Sequence, residues 1–100
     1  MPYLINEKGR KLVIEVSGEF DAVLAKELQK DFEKYKGKNI GEVLFDFKKT
    51  THIASSGLRI IIFAQERINT DIDVSIINAK DMVLEIIKMS GIDAFVKLVE

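Results

Sequence analysis

One hundred residues, 47% hydrophobic and 31% charged, suffice for one globular domain and leave no room for a second. Fifteen Lys/Arg are interspersed with sixteen Asp/Glu, a net charge of −1 without the basic stripe of a nucleic-acid binder. The absence of cysteine and the single histidine, His52, exclude disulfides, thiolate chemistry and a multi-His metal site within one chain.

The opening MPYLINEKGR has an apolar run too short for a signal peptide, and no stretch approaches the ~20 apolar residues of a membrane span. A soluble cytoplasmic protein without membrane contact is expected. Residues 11–16, KLVIEV, alternate Leu12, Ile14 and Val16 on one face and predict a strand. The preceding Tyr-Leu-Ile can pair with it as a hairpin, Gly9 supplying the turn. DAVLAKELQKDFEKYKG then places Leu24, Leu28, Phe32 and Tyr35 at helical spacing, between an Asp21 cap and a Gly37 stop.

Residues 42–47, EVLFDF, read as the next strand and KKTTHIASSG as the loop after it. The run LRIIIF is locally strand-like, because β-branched residues favour strands. From Ser56 to Ile68, however, the only glycine or proline is Gly57, in the first turn. Leu58, Ile61, Ile62, Gln65 and Ile68 share one helical face, so a helix is expected. Residues 73–77, DVSII, predict a further strand. A helix opening on an Asn78 cap should carry Met82, Val83, Ile86 and Ile87 inward and close at Gly91. IDAFVKL is a last short element. Alternating strands and helices imply an α/β domain: a mostly parallel, four- to five-stranded sheet with an antiparallel N-terminal edge and three to four helices.

In such sheets, sites gather outside the carboxyl ends of the strands. That edge should hold Asp21, His52, Ser55 and Ser56, bringing Asp21 beside the serines. Asp21 and Asn78 read as helix caps of ~1 kcal/mol each, and Ser55 reads equally as a cap or as a functional residue. A hydrolase would use Ser55 or Ser56 as nucleophile, His52 as base and Asp21 or Asp46 to orient it. That pattern is poorly matched, since Ile53 stands where the Gly-x-Ser-x-Gly elbow needs a small residue. GKNIGE lacks the Lys-Ser/Thr ending of a phosphate loop, so no enzyme and no cofactor are expected. A modification site fits better. A helix N-terminus favours a phosphate by ~0.3–1 kcal/mol, and the added charge would repel a partner docked there.

DFKKTTHIASSGLRIIIFAQERI resembles the central signature of STAS domains, specifically of anti-sigma factor antagonists. VSGEFDAVLAKEL is similar to the family's earlier Gly-x-x-Asp segment and first helix, and IIKMSGIDAFVKL to its C-terminal Ser-Gly-apolar segment. The resemblance runs in order through essentially all of residues 1–100. It implies a protein that binds an anti-sigma factor with serine kinase activity and so releases a sigma factor, phosphorylation reversing the binding. By position, Ser55 matches the phosphorylated serine, Ser56, Gly57 and Leu58 the rest of the loop, and Asp21 the aspartate facing it. Ala54 departs from the pattern, which has Asp or Ser there. An alternative is therefore a STAS domain that binds its partner constitutively, or one that senses a small ligand or nucleotide. At ~100° per residue, Ile60, Phe63 and Arg67 fall opposite the Leu58/Ile62 face. With Arg59 at the rim, they form the expected partner contact. The chain is expected to be a monomer or weak homodimer.

Overall fold

The computed structural model describes residues 2–99. Its first two strands, β1 (Tyr3–Lys8) and β2 (Lys11–Phe20), form the expected antiparallel hairpin. The turn between Lys8 and Lys11 is tight, and Gly9 stands in it at φ +61°, a conformation that a side chain disfavours. Helix α1 (Ala22–Glu33) leads to β3 (Glu42–Ile53), α2 (Ser55–Arg67) to β4 (Asp73–Ile77), and α3 (Asp81–Ser90) to a short 3-10 turn and β5 (Lys97–Leu98). The strands lie side by side in the order β1-β2-β3-β4-β5, and every pair after the hairpin is parallel.

Each crossover steps the same way along the sheet, so right-handed connections place all three helices on one face. Burial follows that geometry. Leu12, Ile14 and Val16 of β2, Val43, Phe45 and Phe47 of β3, and Val74 and Ile76 of β4 join the helices' apolar side chains in one core. On α1 the buried residues are Leu24, Ala25, Leu28 and Phe32, as the spacing predicts, while Tyr35 is half-buried just past the helix end. The alternate residues of β2 and β3 (Val13, Glu15, Leu44 and Asp46) face the other side and are half-buried or exposed.

Three expectations are corrected. Strand β3 does not stop at Phe47 but runs to Ile53, so KKTTHI is strand rather than loop. Its buried residues change from every second position (Val43, Phe45, Phe47) to every third (Phe47, Thr50, Ile53). Two register shifts against β2 absorb the change: Glu15 pairs with Asp46 but Ser17 with Lys49, and Gly18 pairs with Thr50 but Glu19 with His52. Such bulges bend a strand and re-aim its side chains. The Val16 carbonyl, opposite the first bulge, is satisfied by the buried Thr50 hydroxyl at 2.8 Å.

Asn78 does not cap α3. It sits at φ +61° and donates through its side chain to Asp46 (2.9 Å), while Lys80 occupies the cap position without a side-chain bond. Met82, expected inward, is 57% exposed, so α3 buries only Val83 and Ile87 fully.

Candidate functional site

Strands β2 and β3 end together. Phe20 and Ile53 are register partners, and the next amide, of Ala54, donates to the Phe20 carbonyl at 2.9 Å. One residue beyond that bond lie Asp21 on one chain segment and Ser55 on the other. The carboxyl edge therefore brings the two together as expected. Both are exposed.

The two residues serve their helices differently. Asp21 is the N-cap of α1, its Oδ1 accepting from the Leu24 amide at 3.0 Å. Ser55 is not a cap. It is the first residue of α2, and the cap position belongs to Ala54, whose side chain has nothing to offer. The Ala54 carbonyl takes the Gly57 and Leu58 amides at 2.9 and 3.1 Å. Among the described residues the Ser55 and Ser56 amides have no acceptor, so the end of α2 presents open donors beside an exposed hydroxyl.

Gly57 fixes how closely α2 meets the edge. A Cβ there would lie 2.8 Å from the Phe20 carbonyl oxygen and 2.9 Å from its ring, closer than atoms approach, and the oxygen belongs to backbone already bonded to Ala54. Phe20 itself is fully buried and meets Phe47 edge-to-face, with ring centroids 6.1 Å apart. Sequence reading missed Phe20 as a support. Its only signal is its place immediately before Asp21.

The expected partner contact is corrected in part. Ile60 is only 3% exposed, because α2 buries Gly57, Ile60, Ile61 and Ala64. That stripe is centred roughly 130° from the midpoint of Leu58 and Ile62, at 100° per residue. Helix α1 packs against α2, where Ile60 lies beside Ala22 and Ala25, and α2 also packs on strands β3 and β4. Phe63 is half-buried. Arg67 stacks over its ring, 5.8 Å from the centroid, and reaches Glu33 of α1 at 3.2 Å. Arg59 remains exposed. A shallow groove of about 160 Å³ runs between α1 and α2, with Lys26 and Gln29 on one side and Ser56, Arg59 and Phe63 on the other.

The hydrolase geometry is not assembled. His52 is exposed on β3, and among the described residues no hydrogen bond joins it to Ser55 or Asp21. Asp46 is turned to the opposite sheet face, bonded to Asn78 and the Lys48 amide. Among the described residues no three acidic or histidine side chains gather as a metal site, and no helix is long and apolar enough to cross a membrane. The resolved acid-base shifts lie where β1 meets α1. Burial, with the hydrogen bond to Asp31, pushes the Tyr3 hydroxyl up, and the same bond holds the Asp31 carboxyl below its ordinary value.

A family model described as "STAS domain" matches residues 3–100. No sequence among curated proteins matches this chain significantly. Among solved structures, it is similar to an anti-sigma factor antagonist from Mycobacterium paratuberculosis. The identity is 21%, the TM-score 0.80, and the match covers 96% of this chain and 82% of that one. It is also similar to the anti-sigma factor antagonist SpoIIAA in its unphosphorylated form, with 13% identity and a TM-score of 0.76, covering 98% and 87% of the two chains. The phosphorylated form of SpoIIAA, a Bacillus cell fate determinant, matches at 13% identity with a TM-score of 0.74, covering 98% and 91%. At these identities the likeness is one of fold.

Proposed function

The chain belongs to the STAS domain family, and on that premise we propose that it is a non-enzymatic, phospho-regulated anti-sigma factor antagonist acting in the cytoplasm. Unphosphorylated, it binds an anti-sigma factor that is also a serine kinase, and a sigma factor is released. Phosphorylation of Ser55 switches the binding off. Asp21, Ser56 and Gly57 shape the switch, and Arg59, Phe63 and Arg67 border the docked partner.

The observation that carries this reading is the uncapped start of α2. Ser55 is exposed to a kinase, and the open Ser55 and Ser56 amides with the helix dipole favour a phosphate there. Phosphorylation then adds roughly −1.5 to −2 charges beside the Asp21 carboxylate without needing to unfold the domain. A partner seated over that edge would bury an uncompensated charge, which costs several kcal/mol.

The test is incubation with the cognate anti-sigma kinase and ATP, then location of phosphate by mass spectrometry. Label is expected on Ser55 and binding should be lost in Ser55→Asp. An unlabelled Ser55, with binding indifferent to Ser55→Asp, would sink the switch. Ala54 favours one second reading, a constitutive binder, because the group that the family has at this position is missing. If phosphorylation appears only after Ala54→Asp, the constitutive reading holds.

A further inference from the structure

The sheet face opposite the helices carries three rows of side chains set by strand register. Lys8, Lys11, Glu42 and Asp73 form the first, Asn6, Val13, Leu44 and Ser75 the second, and Leu4, Glu15, Asp46 and Ile77 the third. The first row passes from two cations on β1 and β2 to two anions on β3 and β4. Leu4 is 51% exposed, and Val13, Leu44 and Ile77 are half-buried with no helix above them.

We propose that this face binds the same face of a second copy of the chain, about a twofold axis running along the strands between β2 and β3. Two sheets can pack so, face to face about 10 Å apart. The axis lays β1 over the partner's β4 and β2 over the partner's β3. Lys8 then meets the partner's Asp73, Lys11 the partner's Glu42, Val13 the partner's Leu44 and Leu4 the partner's Ile77, while Ser75 is already buried within its own chain. Moving the axis onto β2 or β3 would set Lys11 or Glu42 against its own copy, so the charge pattern selects one arrangement. Its unfavourable pair is Glu15 with the partner's Asp46. Asp46 is already bonded to Asn78 and the Lys48 amide, and Lys48 lines the same cleft as Glu15.

Four strands ~4.8 Å apart and five residues deep present roughly 300 Å² per copy. A standard interface takes about 800 Å² per partner. The dimer is therefore weak and concentration-dependent, and it leaves the Ser55 edge free. It does not depend on the Ser55 switch.

Within one chain Lys8 and Asp73 are three strand spacings apart, ~14 Å, beyond the ~8 Å screening length at physiological salt. Their pairing must be intermolecular, which gives a clean test by sedimentation equilibrium of the full chain from about 10 μM to 1 mM. The wild type should dimerise within that range. Lys8→Glu and Asp73→Lys, both exposed positions, should each weaken the dimer at least about tenfold. An equimolar mixture of the two variants should re-associate, because both cross-pairs become complementary, and the double variant should recover the wild-type constant. A wild type monomeric to 1 mM overturns the proposal, as does a dimer insensitive to both reversals. So do weakened variants that fail to recover on mixing.

Discussion

The starts of α1 and α2 lie side by side at one edge of the sheet, yet one is closed and the other open. Asp21 caps α1 with its own carboxylate, whereas Ala54 leaves α2 without a side-chain bond and, among the described residues, with two amides that have no acceptor. Both ends rest on the same residue, Phe20, whose carbonyl holds Ala54 and whose ring bounds Gly57. A helix end that is finished internally contributes stability. One left open, with a serine as its first residue, is available to a group added later.

The comparison can be broken at its shared support. Phe20→Ala should destabilise the domain by about 3–5 kcal/mol in urea unfolding and disturb both helix starts, since it empties a fully buried aromatic site. Gly57→Ala should act on the open end alone. Its methyl would press on the Phe20 carbonyl, at a cost of about 1–3 kcal/mol, and shift Ser55 relative to Asp21. Amide exchange should rise in the first turn of α2 and not in α1. Uniform exchange across both helices would mean the two ends are not separable.

Smaller changes sharpen the contrast. Asp21→Ala should cost about 1 kcal/mol by stripping the closed end of its cap. Ala54→Ser should do the reverse, stabilising by about 0.5–1 kcal/mol because a hydroxyl can accept the Ser56 or Gly57 amide. Unfolding midpoints of the two variants would check both signs. If Ala54→Ser were destabilising, the open end of α2 would not be a missing cap.

The elements with regular periods were legible in the sequence. Strand β2 alternates cleanly through Val16, and α1 repeats Leu24, Leu28 and Phe32, so their faces could be assigned before packing was known. The nearness of Asp21 and Ser55 was legible too, because a parallel sheet places the ends of successive strands at one edge. The end of β3 was not. Beyond Phe47 its buried residues fall three apart, and a bulge leaves no period of two to read. Ile60 was misplaced because packing against α1 as well as the sheet turns the buried stripe of α2 toward Gly57, Ile60 and Ala64 and away from Leu58 and Ile62, a rotation that periodicity alone does not give. Nor could the sequence show that Asn78, at a left-handed φ, bonds across to Asp46 instead of capping α3.

The most direct measurement is calorimetric titration of the anti-sigma partner, without ATP, against the unmodified chain and the chain phosphorylated at Ser55. A phosphate buried under the partner predicts binding at least ~100-fold weaker, about 2.7 kcal/mol, with the unfolding midpoint of the free domain not lowered. Equal affinities for the two forms would contradict the account.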